Sequence, residues 1–331
     1  MKIEWNYGSG DHVQILDITE AVLSVSWGGS VSQAARTAEI TVLNAPDDTN
    51  IEKLNLKIGA GDTIKLYENG EVIFFGEVQI AEKLSQCGSI TYSCMDLLAH
   101  LLRSTVVYNF ENTTAEDITR KICADFGIET GEIAASKAPI KKMIVDGSTI
   151  YDTIMQAYTK ASRQTGELYI CRMNGVKLSV EIKGTKVKNF ILAEEYNITN
   201  SAYQETIENM VNKVKIYDDT GEQIGVVTND QWIRKYGIYQ QVYRKESGIN
   251  EVIAATNMLV GIEKRVTLDG IDGNLKCIAG NGVEVQDKTT GLSGIFWIDS
   301  DTHTWEGGAH IMNLELNFKN LMDKKEYAEQ E

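Results

Sequence analysis

The chain has 331 residues, 43% hydrophobic and 24% charged, enough material for two or three domains with their own cores. Its formal net charge of −15 argues against phosphate-backbone binding as the main activity, because neutralising phosphates takes Lys and Arg. The opening MKIEWNYGSGDH has no apolar h-region and no uncharged apolar run approaches ~18 residues, so neither a signal peptide nor a membrane span is expected. Five cysteines (Cys87, Cys94, Cys123, Cys171, Cys277) are odd in number and form no C-x-x-C. They read as reduced, mostly buried thiols of a protein made in the cytosol.

Residues 1–105 read as short strands. Val13–Ile18, Ala21–Trp27 and Ala38–Val42 are rich in β-formers, and Asn44-Ala45-Pro46-Asp47-Asp48 is a turn cluster. The segment Leu54–Gly61 leads into GDTIKLYENGEVIFFGEV, where Ile64 and Leu66 alternate with Thr63, Lys65 and Tyr67. Asn69-Gly70 supplies the positive-φ pair of a type I′ hairpin, and Gly76 suits a bend or a close backbone approach. Strands are expected over Glu77–Lys83 and Ser89–Ser93, and a helix over Met95–Leu102. Together these predict a first β-barrel domain over 1–105.

The period changes at 106. Thr114 followed by Asp117 approximates a capping box, Ile118, Ile122 and Phe126 share a face, and Gly127 sits as a C′ glycine. Ser148 starts a second helix with Ile150, Ile154, Ala157 and Ala161 on one side, ending at Gly166. Glu167–Arg172 and Val176–Ile182 form a hairpin over Met173-Asn174-Gly175. A small α+β domain is thus expected over 106–200.

Strands return after 200. Met210–Tyr217 alternates and Gln223–Thr228 pairs back over an Asp218–Gly221 turn. Asn229–Tyr236 reads as a capped helical turn and Tyr239–Arg244 as a strand. Asn250–Glu263 reads as a helix buried through Ile253, Thr256, Leu259 and Val260. Arg265–Leu268 and Asn274–Ala279 read as strands, followed by a hairpin over Gly282–Ile298 and a strand over His310–Phe318. The second β-barrel domain is therefore 201–228 and 265–320, 229–264 returns to the middle domain, and 321–331 is a charged tail. The 59–78 and 282–298 hairpins share a pattern that fits two related β-domains, although any two hairpins share some of it. The fold class is α+β and β-rich: two tube-like β-barrels with a small α+β domain between.

Candidate chemistry is sparse. Asp301, His303 and His310 have the composition of a divalent metal site, but H-x6-H matches no zinc signature. The structural alternative is that they hydrogen-bond a tight Gly307-Gly308 loop and its neighbours. His12 and His100 have no partner in sequence. Glu194/Glu195 could imitate a glycosidase dyad, yet adjacency does not aim two carboxyls at one sugar. No G-x-S-x-G, H-E-x-x-H, Walker loop or G-x-G-x-x-G occurs, so no catalytic residue, cofactor or enzyme activity is expected.

GDTIKLYENGEVIFFGEV, ENMVNKVKIYDDTGEQIG and GIFWIDSDTHTWEGGAHIMNLELNF resemble the baseplate hub proteins of contractile phage tails. The branch resembled is that of PBSX-like defective prophages and phage-tail-like bacteriocins. The resemblance implies a non-enzymatic homotrimer whose six barrels form a pseudo-six-fold ring between the six-fold tail tube and the three-fold spike. It implies tube, spike and tape-measure proteins as partners, and synthesis in the bacterial cytoplasm before incorporation into the particle. It implies no specific nucleic-acid binding, DNA passing only through the lumen. Two other readings are a metal-dependent cell-wall hydrolase using Asp301, His303 and His310, and a carbohydrate-binding module using Trp5, Trp27, Trp232, Trp297 and Trp305.

Overall fold

The computed structural model describes residues 1–8, 13–44, 56–81, 88–245 and 250–325. The chain forms two compact units, 1–201 with 267–331, and 202–266. The first unit opens with β1 (Lys2–Tyr7), β2 (Gln14–Asp17), β3 (Val22–Ser30), β4 (Gln33–Asn44), β5 (Thr63–Glu68), β6 (Glu71–Ile80) and β7 (Gly88–Asp96). The β5–β6 turn is as expected: Glu68 pairs with Glu71, and Asn69 and Gly70 have φ of 52° and 84°. Period-two alternation drives Ile64, Leu66, Phe74 and Val78 into one core with Trp5, Trp27, Ile40 and Tyr92. Gly76 permits a close approach, since a Cβ there would lie 2.4 Å from both Met95 O and Phe74 Cζ.

Next come α1 (Leu98–Arg103), β8 (Thr105–Thr113), α2 (Ala115–Asp125), β9 (Thr130–Ile133), β10 (Ile140–Thr149), α3 (Ile150–Thr165), β11 (Tyr169–Asn174) and β12 (Lys177–Ile182). The Thr114 hydroxyl accepts from Asp117 N and donates to the Asp117 carboxylate, capping α2. At the other end Ile128 N donates to Cys123 O and Gly127 takes φ 64°, a Schellman stop. Thr149, one residue beyond the expected Ser148, caps α3, and Gly166 ends it at φ 79°. Ile150, Ile154, Ala157 and Ala161 are all buried, as their spacing predicts. The pair β8–β10 was not foreseen. It packs Phe110 and Met143 as cross-strand partners under the helices. Leu98 and Leu101 of α1 belong to this core, so the helix expected to close the first β-domain instead packs beneath the second layer.

The strands β13 (Lys186–Ala193) and β14 (Asn200–Thr206) lead to the second unit. That unit holds β15 (Lys213–Tyr217), β16 (Gln223–Thr228), α4 (Asp230–Tyr236), β17 (Gln240–Arg244) and α5 (Glu251–Asn257). Its sheet order is β16-β15-β17, and Val211, Val214, Ile216 and Ala255 form its core. This differs from the expected grouping: 201–228 and 229–264 share one local core because β15 pairs with both β16 and β17. The expected helix over Asn250–Glu263 stops at Asn257, with Ala255 as its buried residue and Ile253 61% exposed. Leu259 and Val260 lie past its end, where Val260 bridges to Val211.

The chain returns through β18 (Glu263–Asp272), β19 (Gly282–Asp287), β20 (Leu292–Glu306) and β21 (Ala309–Asn317). Asn274–Ala279 is a turn rather than the expected strand, because the Asn274 side chain accepts from Lys276 N and its carbonyl from Cys277 N. One 13-stranded sheet runs β14-β18-β21-β20-β3-β4-β7-β6-β5-β1-β2, with β19 bridging β13 and β20. The fold is α+β and β-rich as expected. Among the described residues, however, the two β-regions are joined by the β20–β3 ladder and neither closes into a barrel by hydrogen bonding. The turn cluster at 45–48, His12, Cys87, the ends of the Leu54–Gly61 and Glu77–Lys83 segments, and the last residues of the tail lie outside the described residues. No described helix is long and apolar enough to cross a membrane.

Gly76→Ala is expected to destabilise the fold by about 1–3 kcal/mol, since its Cβ must displace backbone. Gly59→Ala, whose Cβ would meet only Asp62 Oδ2 at 3.6 Å, should change stability far less. Denaturant titration of the two variants checks the contrast.

Candidate functional site

The three residues singled out in sequence do meet. Asp301, His303 and Trp305 sit two apart on β20, so they share a face. Register places His303 opposite Trp27 on β3 and Trp305 opposite His310 on β21. The rings form a stack: Trp305 and His310 lie 4.1 Å apart at 13°, and Trp27 and His303 lie 5.1 Å apart. Arg36, reaching from β4, lies over Trp27 with its guanidinium carbon 4.1 Å from the ring centre.

Arg36 then crosses β3 to Asp301. Its Nη1 donates to Oδ1 at 2.9 Å and its Nη2 to Oδ2 at 2.5 Å, a bidentate pair. Arg36 is 7% exposed and Asp301 1%. The crossing is possible because β3 carries Gly28-Gly29 at that point: a Cβ on Gly29 would stand 2.9 Å from Arg36 Cγ and Nη1. Ala279 N gives Asp301 a third bond at 2.6 Å. On the other side of Arg36, buried Asp96 accepts from Arg36 N and Leu98 N.

The imidazoles are fixed in one tautomeric arrangement. His303 Nε2 faces two acceptors, Cys277 O at 3.2 Å and Asp301 Oδ2 at 3.5 Å, so it carries the proton. His303 Nδ1 is therefore bare and accepts from His310 Nε2 at 3.0 Å. Burial lowers the His303 pKa to about 4, against the opposing pull of Asp301, and burial also lowers that of His310. Burial pushes the Asp96 carboxyl the other way, up to about 7.

With the Asp301 oxygens and His303 nitrogens bonded within the protein, the cluster offers a joint rather than a metal cage. Among the described residues no group of three or more His, Cys, Asp or Glu is placed to hold a metal ion. The Gly307-Gly308 loop is a β20–β21 hairpin tip at φ 58° and 83°, next to the cluster rather than bonded by it. Glu194 and Glu195 tie down the β19–β20 turn, Glu195 through Lys288 at 2.7 Å and Glu194 through the Thr289 hydroxyl at 2.6 Å. His100 pairs with Glu77 at 2.9 Å on the surface. Cys94, Cys123, Cys171 and Cys277 are buried free thiols. Of the tryptophans, Trp5 and Trp27 are buried and the other three half-buried. Arg36 and Asp96 were missed in sequence, and Trp27 was named only among the tryptophans of a carbohydrate-binding reading; Trp27-Gly28-Gly29 inside a strand was the available signal.

Arg36→Ala would leave the Asp301 carboxylate buried and unpaired, and a loss of about 3–5 kcal/mol is expected by denaturant titration. The pH dependence has two opposed parts. Between pH 6.5 and about 4 the unfolded chain protonates His303 and the folded chain does not, so acidification removes up to about 3 kcal/mol. Asp96 acts oppositely: between about pH 4 and 7 the folded carboxyl holds a proton that the unfolded chain releases, so stability falls as pH rises. Asp96→Asn should therefore steepen the loss of melting temperature on acidification from pH 6.5 to 4, and His303→Gln should flatten it.

Residues 25–317 match the family described as YqbQ-like. The protein XkdQ of the PBSX phage-like element of Bacillus subtilis (strain 168) is 26% identical over 311 residues, 90% of this chain and 93% of that protein. The expected likeness to PBSX-type proteins is thus met. The 43 kDa tail protein of prophage MuSo2 from Shewanella oneidensis aligns with a TM-score of 0.67 at 15% identity, over 96% of this chain and 98% of that one. The E. coli c3393 protein, a type VI secretion component described as similar to the T4 tail proteins gp27 and gp5, aligns with a TM-score of 0.50 at 9% identity. It is covered over 76% of its length, and this chain over 94%. At such identities the structural likeness establishes a shared fold. Since the family match runs through nearly the whole chain, from β3 to β21, the protein belongs to the YqbQ-like family.

Proposed function

We propose that the protein is a structural baseplate hub of a contractile phage tail or phage-tail-like particle, without enzymatic activity. Three copies form a pseudo-six-fold ring that adapts the six-fold tail tube to the three-fold spike. The observation that carries this reading is the end-to-end likeness to a protein of a phage-like element and to a prophage tail protein, which covers 93% of XkdQ and 98% of the MuSo2 tail protein. The tail tube, spike and tape-measure proteins are the partners. The chain is made in the bacterial cytoplasm and built into the particle.

The physical features are consistent with a ring. Two β-regions in each subunit supply six tube elements from three chains, the role the domain expectation gave to 1–105 and to the C-terminal strands. Among the described residues β2 pairs only with β1, and it exposes Val13 (just before it), Ile15 and Leu16 at 52%, 61% and 40%. An edge strand with apolar side chains needs a cover, and a neighbouring subunit provides one. A charge of −15 per chain repels the phosphates of a genome in transit.

Light scattering on the purified protein should give three times the 36.8 kDa of one chain, or reach that mass when the spike partner is added. Ile15→Lys should weaken the trimer without lowering the monomer's melting temperature. A monomeric mass under both conditions would overturn the ring.

A further inference from the structure

We infer that one side of the large sheet, over β21, β20, β3, β4 and β7, is the wall of the ring's channel, a surface free of cations past which a polyanion slides without being held. The inference rests on the ring reading and adds to it which face is turned inward. The five strands are neighbours in the sheet. Their other side is the core side, where Trp27, Ile40, Tyr92, His303 and Met312 are buried.

Their composition sets them apart. The five strands hold 54 residues and a single Lys or Arg, Arg36, which is buried on the core side against Asp301. The whole chain has 32 in 331 residues, so about five would be expected there. Packing fixes the core side, whereas the outward positions were free to carry lysine. They carry hydroxyls instead. Ser26 stands opposite Thr304, and Thr41 opposite Thr91 with their Oγ1 atoms 3.0 Å apart. The charges on this side are negative: Glu39, Glu306 and Glu315, all exposed. At one end of the strands the middle layer covers this side, where Ala35 joins its core and Arg103 meets Met95 at 4.0 Å. Farther along, Glu39 and Thr91 face solvent.

A surface that docks another protein gathers large apolar side chains at its centre. Here the exposed ones are Leu23, Ile295 and Ile311, each on a different strand. A surface that holds nucleic acid carries Lys and Arg, and each such cation on a channel wall would add a salt-dependent grip on passing phosphates. Hydroxyls offer no such grip, and carboxylates repel phosphate. The outward face therefore lacks both means of holding a macromolecule, which is what the wall of a conduit for a polyanion requires.

Threading tests the assignment. The wild-type ring, isolated by size, is compared with the ring of the triple variant Glu39→Lys, Thr91→Lys, Glu315→Lys, exposed positions on three strands. Each is mixed with a linear DNA duplex and with the same duplex as a covalently closed circle, which cannot thread a preformed ring. The variant ring should retain the linear form at least about tenfold better than the circle at ~50 mM salt and release it at ~200 mM. The wild-type ring should retain neither. Equal retention of both forms by the variant would put the lysines outside the channel and overturn the assignment while leaving the ring. Retention of neither by the variant, or of either by the wild type, would overturn it as well. If the lysine variant does not assemble, Thr91→Cys replaces it, with the wild type as the blank for the native cysteines. In the ring its thiol should take a small maleimide but not one carrying a bulky polymer, and equal reaction with both would overturn the assignment. A wild-type chain that stays monomeric with the spike partner present overturns the ring reading itself, and the assignment with it.

Discussion

The fold depends on one ion pair between residues 265 positions apart, Arg36 and Asp301. Burying both charges is expensive, and only near-ideal geometry compensates. Here a guanidinium fork meets both carboxylate oxygens, stacks on Trp27, and passes over a strand with glycines at the crossing. The pair seats β20 against β3, and that ladder makes the N-terminal and C-terminal strands one sheet. The imidazoles complete the arrangement. His303 uses its single proton toward Cys277 O and accepts from His310, so both of its ring nitrogens are satisfied between the strands.

What was legible from sequence was local. The Asn69-Gly70 turn, the Thr114 cap, the Gly127 and Gly166 stops and the one-sided burial of α3 depend on neighbours within a few residues, and all are found. The strand β8 was missed although Val106, Tyr108 and Phe110 alternate, because its segment lies between two strong helical patterns. The α5 helix was drawn too long because Leu259 and Val260 continue its period, while their burial comes from a bridge to Val211. Residues 274–279 were read as a strand although Asn274 had the chemistry of a turn.

The candidate cluster was half legible. Composition pointed to Asp301, His303 and His310, and the structure does bring them together. Their role could not be read, because the deciding partners stand far off in sequence: Arg36, Trp27, and the carbonyl and amide of the 277–279 turn. A carboxylate beside two imidazoles looks the same in sequence whether it faces a cation or a guanidinium. Gly28-Gly29 beside Trp27 was the one local sign that a long side chain had to pass over that strand.

The placement of β20 also governs how the molecule is made. Its fifteen residues are the last but one strand to leave the ribosome, yet they fill the slot beside β3, one of the earliest. While synthesis continues, the outer edge of β3 has no partner, and its free amides and carbonyls can recruit strands from other nascent chains. A chain truncated before residue 292 keeps that open edge permanently. Such an exposed ladder is the cost of completing a sheet with a strand that is made late.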